Sequence, residues 1–374
     1  MLTAARCAFL VLLLVPGPFS CLHAQTTGRA TSQRPSITVP VVVHGKHGGL
    51  VPQLNASDFT LTDNTYPQTI QAFAPNTSLS LHLGLLFETG AAQSSTLREK
   101  VRATEQFLSG LLAVHASEAQ PSVFVIQFNR DVDLLEDPSS SKSKEQQALS
   151  QVGVAQFTGD SNGVTATQIS SGRKSKAKSG ANLYDAIDLA ATDVLTRPEG
   201  RKVLVVLSDG IDQGSKTTMN GAVEAAQRAG AAVYAIYFKG GRPPMEFTPG
   251  RRTLGSAGGY PGTYPGSYPG SYPGTYPGGY PGSYPAPSRE RRADGRKILR
   301  EICERTGGEV FDSRRQSLAR IYAAIAAQLN SAYMLQYTPT PQAAADSGFH
   351  HIRLKPKQKG LSLQMTEGYW SGVE

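Results

Sequence analysis

The sequence predicts an α/β protein: a doubly wound, mostly parallel sheet, with a small β-unit formed by the N- and C-terminal segments. Residues 203–207 (VLVVL) and 81–87 (LHLGLLF) are short apolar runs of the kind found in strands buried on both faces. Around them, strand-like runs alternate with segments of helical spacing, which implies parallel strands covered by helices. Strand-like patterning also occupies both ends of the chain.

Residues 1–24 read as a signal peptide. Arg6 supplies the positive charge, residues 8–15 (AFLVLLLV) an apolar core too short to cross a bilayer, and Pro16-Gly17-Pro18 ends it. Cleavage is expected near Ala24, leaving an extracytoplasmic protein, periplasmic or secreted. Cys21 as a lipid acceptor is the alternative, but Pro18 and Phe19 before it fit that pattern poorly. Residues 25–35 are polar and expected to be disordered.

Residues 36–78 form the expected N-terminal β-unit. ITVPVVVHG (37–45) runs into a glycine-rich turn, Phe59 and Leu61 alternate with polar neighbours, and Asn64 and Pro67 mark turns. The α/β domain is expected over 79–331. Its strands are 81–87, 122–128, 203–207 and 231–238. Its helices are 97–112, 183–195, 222–229, 297–305 and 318–329, with a short strand after the glycine pair at 307–308. The domain is interrupted over 241–292, where Tyr-Pro-Gly-(Ser/Thr/Gly) repeats through 260–285. A proline every fourth residue excludes a helix, and the absence of aliphatic residues excludes a core, so a disordered insertion is expected. Residues 332–374 close the chain with β-segments at 332–337, 351–356 and 361–366. The aromatic Tyr369-Trp370 is expected to pack on that sheet, and His350-His351 to be surface polar residues.

The net charge of +8 is concentrated at residues 173–178 (RKSKAK) and 289–300. Neither resembles a nucleic-acid module, and export argues against that partner. No further apolar stretch is long enough for a transmembrane segment. With Cys7 and Cys21 at or before the cleavage region, Cys303 is left alone in a helical pattern, where a small buried residue is the expected role.

Two buried strands ending in acids, Glu88 and Asp209, raise the idea of a cation cup at the C-terminal edge of the sheet, where ligands of open α/β sheets bind. HLGLLFETG, ANLYDAIDLA, VLVVLSDGID and ERTGGEVF, in that order, resemble a von Willebrand factor type A domain. With the Leu-x-x-x-Asp-Phe step at 54–59 and the terminal YMLQYTPT and IRLKPKQKGLSLQMTEGYW, the chain is similar to that family's exported acidobacterial subfamily. The resemblance covers most of residues 36–371, apart from the insertion and the basic loop before Gly180. It implies a Mg²⁺ site built from Asp-x-Ser-x-Ser, a threonine and a second aspartate. Here those positions carry Glu88, Gly90, Ala92, Ala181 and Asp209, of which only Asp209 is unchanged. Mg²⁺ wants about six oxygens in a tight octahedron, and glycine and alanine offer none from the side chain. No cofactor is therefore expected beyond weak Mg²⁺. Asp209 is expected to serve as a helix or turn cap, and the 173–178 run as an exposed basic loop, the alternative being an ammonium from it that relieves repulsion between Glu88 and Asp209.

The sequence carries no His-Glu-x-x-His, no Gly-x-Ser-x-Gly and no phosphate-binding loop, so no enzyme is expected. The expected function is a non-catalytic module binding an unidentified protein partner without strong metal dependence. The alternatives are a structural envelope or matrix protein acting through the Tyr-Pro-Gly repeat, and a metal-dependent adhesion protein.

Overall fold

The computed structural model describes residues 36–75, 79–114, 120–153, 181–196, 198–240 and 294–372. The expected signal peptide and polar stretch (1–35), the basic run 173–178 and the insertion 241–292 lie outside the described residues.

In chain order the elements begin with β1 (Ile37–His44), β2 (Phe59–Asp63), β3 (Tyr66–Gln68), β4 (Ala72–Pro75) and β5 (Leu81–Glu88). Next come α1 (Leu97–Val114), β6 (Ser122–Phe128), β7 (Val132–Ser139), α2 (Lys142–Gln151) and α3 (Leu183–Leu189). They are followed by β8 (Arg201–Ser208), α4 (Met219–Ala229), β9 (Ala231–Tyr237), α5 (Gly295–Thr306), β10 (Val310–Asp312) and α6 (Leu318–Ser331). The last are β11 (Tyr333–Tyr337), α7 (Pro341–Ala344), β12 (Gly348–Pro356), β13 (Ser362–Gln364) and β14 (Gly368–Ser371).

The central sheet has the order β10-β9-β8-β5-β6-β7. All its pairings are parallel except β6 with β7. Alternation along each strand divides the side chains between two cores. Leu83, Leu85 and Phe87 join a cluster with residues of α1, α2 and α6. Leu86, Phe124, Leu204 and Val206 join the cluster on the opposite face, with residues of α3, α4 and α5. Gly84 lets the central strands pack closely, because a Cβ there would lie 2.3 Å from Phe124 Cζ and 2.6 Å from Leu204 Cδ2.

Helix ends follow local chemistry. Thr218 caps α4 by accepting from Gly221 N, and Gly230 ends it in the left-handed region at φ 68°. The helix expected over 183–195 is α3 continued by a π-helical turn at Ala190–Val194. β7 and α2 are additions to the sequence reading. β7 is an edge strand interrupted by register shifts and carrying Pro138, and α2 is largely polar, so neither shows a clear period.

The terminal segments interleave in two further sheets, β13-β1-β11-β4 and β14-β12-β2-β3. Both neighbours of β1 come from the C-terminal part, and β2 lies between β12 and its own hairpin partner β3. Their shared core includes Val39, Val41, Phe59, Phe73, Tyr333, Tyr337 and Leu354, with the Phe73 and Tyr333 rings stacked 4.7 Å apart. Tyr369-Trp370 packs on this unit as part of the pairing strand β14.

His350 corrects the sequence reading. It is fully buried, and Nδ1 lies 2.8 Å from Asp63 Oδ1, whereas the His351 side chain is 63% exposed. Strand alternation explains the difference, since neighbours on β12 face opposite sides. Cys303 is buried in the α5 core, as its helical setting implies.

Truncation after Asn330 removes β11–β14 and leaves β1 without either neighbour. Limited proteolysis of that variant should cut rapidly within residues 36–75 while the central sheet remains resistant. Equal protection of 36–75 in the truncated and full chains would contradict this pairing.

Candidate functional site

The C-terminal edge of the central sheet gathers Glu88 from β5 and Asp209 just beyond β8. Glu88 is 4% exposed, and its Oε2 accepts from Ser208 Oγ at 2.8 Å and from Asp209 N at 2.9 Å. Ser208 Oγ in turn accepts from Gly210 N at 2.8 Å. Asp209 Oδ1 accepts from Ile211 N at 2.9 Å, so the carboxylate caps its own turn. Gly240 closes over Asp209: a Cβ there would stand 2.3 Å from Oδ2 and 3.6 Å from Ala92 Cβ.

The remaining sequence-predicted positions fall around the same edge. Gly90 sits beside Glu88, and a Cβ on it would lie 3.7 Å from Oε1 and 3.4 Å from Asn129 Oδ1. Ala92 belongs to the turn after β5, next to Gln93. Ala181 is 4% exposed, bridges to Asp212 and packs in the apolar cluster under α3 and α4. None of the three brings a side-chain oxygen.

Sequence reasoning missed the most consequential residue here, Lys100. It lies on α1, is 0% exposed, and donates to Gln93 Oε1 at 2.9 Å and to the Leu207 carbonyl at 3.4 Å. Its ammonium also stands 4.4 Å from the centre of the Phe238 ring. Burial brings its pKa down to about 8, against the upward pull of Glu88 and Asp209. Burial, then the charge of Asp209, raises the pKa of Glu88, while Lys100 lowers it. Asp209 is also raised by burial, against its bond to Ile211 N and the charge of Lys100. Gln93 links the two sides, because it accepts from Lys100 and hydrogen-bonds Asp209.

One signal for Lys100 was present: a lysine in the first turn of an amphipathic helix, one residue before the apolar Val101. Lysines on helices are mostly solvated, so the pattern alone does not distinguish a buried one. The basic run 173–178, the alternative source of an ammonium, lies outside the described residues.

No protein-family model matches the chain, and no curated protein matches it. Among solved structures it is similar to the conserved hypothetical protein BatB from Bacteroides thetaiotaomicron, with 16% identity and TM-score 0.40 over 67% of this chain and 97% of that one. An aerotolerance-related membrane protein from Bacteroides fragilis aligns with 13% identity and TM-score 0.40 over 67% and 99% of the two chains. A von Willebrand factor type A protein from Catenulispora acidiphila aligns with 10% identity and TM-score 0.38 over 90% and 73%.

Removing the Lys100 ammonium leaves two neighbouring carboxylates without an internal counter-charge. Breaking such a buried arrangement costs roughly 3–5 kcal/mol. Lys100→Met should therefore melt well below the wild type at pH 7, where Lys100, with a pKa of about 8, still carries its charge. The carboxylates then take up protons more readily, so their folded pKa values rise further above the unfolded ones. Stability from such groups is present at low pH and lost as pH rises through the folded pKa, so the deficit should shrink towards pH 5. Adding Glu88→Gln should restore much of the lost stability at pH 7. Thermal melts of both variants across this range check the assignment, and a pH-independent deficit would contradict it.

Proposed function

We propose that this chain is an exported protein-binding module of the von Willebrand factor type A kind, with a non-catalytic binding site at the sheet edge in which the Lys100 ammonium takes the electrostatic place of a bound divalent cation. The observation that carries this reading is a fully buried lysine whose charge acts on Glu88 and Asp209, at an edge where Gly90, Ala92 and Ala181 supply no side-chain oxygen. The order of the family-like sequence segments and the mostly parallel sheet support the class.

The donor set does not fit magnesium. Among the described residues, no three His, Cys, Asp or Glu side chains come together as a metal-holding group. Glu88 Oε2 is already committed to Ser208 and the Asp209 amide. A divalent ion would also be repelled by the buried ammonium. A partner would therefore dock on the sheet edge and its loops by shape and hydrogen bonding, without closing a metal shell with its own carboxylate. Among the described residues, no helix is long and apolar enough to cross a membrane.

Millimolar Mg²⁺ or Mn²⁺ should leave the melting temperature unchanged, since stabilisation follows RT ln(1 + [L]/Kd) and vanishes for weak binding. Micromolar binding by calorimetry, lost in Asp209→Ala, would establish a metal-dependent adhesion site instead. Capture of a partner from an envelope extract should survive EDTA and deletion of residues 260–285. Loss of capture on that deletion would favour the structural reading, in which the Tyr-Pro-Gly repeat makes the contacts.

A second experiment isolates the role of the ammonium. Restoring oxygen donors with Glu88→Asp, Gly90→Ser, Ala92→Ser and Ala181→Thr should not by itself create Mg²⁺ binding. Adding Lys100→Met to those four should. Equal Mg²⁺ affinity with and without Lys100, measured by calorimetry on folded variants, would overturn the substitution of ammonium for cation.

A further inference from the structure

Away from the sheet edge, the terminal β-unit assembles a serine, a histidine and an aspartate in a single hydrogen-bonded line. Ser371 Oγ lies 2.7 Å from His350 Nε2, and His350 Nδ1 lies 2.8 Å from Asp63 Oδ1. Asp63 and His350 are both fully buried, while Ser371 is half-buried at the end of β14. Asp63 Oδ2 accepts from the Tyr337 and Tyr369 hydroxyls at 3.0 and 2.9 Å, which fixes the carboxylate, and the Tyr369 ring stacks on His350 with centroids 4.7 Å apart. Asp63 on β2 is separated from His350 on β12 and Ser371 on β14 by most of the chain, so no local motif announces the three.

From this geometry we propose that Ser371, His350 and Asp63 form a nucleophilic site acting on esters presented at the β14 edge. A triad is recognised by geometry and roles, whatever the order of its members in the chain. The carboxylate holds Nδ1–H, leaving the Nε2 lone pair to accept the Ser371 proton. Asp346 O, 3.2 Å from Nε2, can then accept from the imidazolium once it forms. The Ser371 hydroxyl also lies 3.3 Å from Asp346 O and 3.4 Å from Gly348 O, so its resting proton has carbonyl acceptors as well as the ring.

The reaction is acyl transfer. Ser371 Oγ bonds to the ester carbonyl carbon as its proton passes to His350 Nε2. The ester C–O bond breaks, and the departing alcohol takes that proton. Water then attacks the acyl carbon while Nε2 removes its proton. The acid leaves, and the proton returns to Ser371 Oγ. Ser371 and His350 act on the reacting atoms, and Asp63 is a positioning residue.

The test uses the full mature chain with a fluorophosphonate probe and with p-nitrophenyl acetate. Intact-mass analysis should show one adduct, mapped to Ser371, and a positioned base should raise acetate hydrolysis at least about 100-fold over Ser371→Ala. Ser371 is half-buried on an edge, so Ser371→Ala should melt as the wild type does. Labelling should rise with pH along one imidazole titration, and in folded Asp63→Asn that profile should flatten. Absence of an adduct on folded wild type, equal labelling of Ser371→Ala, or an unaltered profile in Asp63→Asn would each overturn the proposal.

Discussion

Glu88 and Asp209 stand at the ends of adjacent parallel strands, and two carboxylates so placed cannot both stay ionised without positive charge nearby. The register of β5 with β8 fixes their proximity, so no side-chain adjustment can separate them. The molecule answers with Lys100, carried into the interior by α1 and held by Gln93, the Leu207 carbonyl and the Phe238 ring. Each of these contacts depends on the end of a strand being where it is. Phe238 follows β9 and donates its N–H to the Ser208 carbonyl. The ammonium therefore ties α1 to the edges of β8 and β9, and the crevice shape follows from that charge balance.

Burying an ammonium is costly, and its lowered pKa expresses that cost directly. The opposing pull of two acids keeps the charged form in reach, and Gln93 supplies the hydrogen bond that a bare charge would lack. A magnesium ion would do the same electrostatic work with hydroxyl ligands from side chains. On the proposed reading, glycine and alanine at those positions leave that work to the covalently attached ammonium.

The legible part of the sequence was the part governed by periodicity. Continuous apolar runs marked β5, β6, β8 and β9 because strands buried on both faces need no polar alternation. The glycine after α5 set the end of that helix within a few residues, whereas the Thr218 cap was passed over and α4 begins at Met219, earlier than the expected 222. β7 and α2 lacked that signal, one being an irregular edge strand and the other a polar helix. Glu88, Gly90, Ala92, Ala181 and Asp209 were expected at the sheet edge through their place in an ordered set of segments. Lys100 and His350 were not legible, because burial of a charged or polar side chain depends on partners distant in sequence. Asp63 meets His350 across 287 residues, and no local window contains both.

Glu88 and Asp63, two of the buried carboxylates among the described residues, differ in how they are neutralised. Glu88 combines a hydroxyl, a backbone amide and a remote ammonium at the open edge of the sheet. Asp63 is enclosed by two phenols and an imidazole inside the terminal β-unit. Its partners all come from the last part of the chain, so the N-terminal strand β2 keeps a satisfied carboxylate only after β11, β12 and β14 have arrived. An unpaired buried carboxylate is expensive, which makes the N-terminal strands dependent on the C-terminal ones for polar satisfaction as well as for strand pairing. The same requirement that joins the ends of the chain also places the imidazole beside Ser371. A structural demand for satisfying Asp63 thus generates the geometry from which nucleophilic chemistry can proceed.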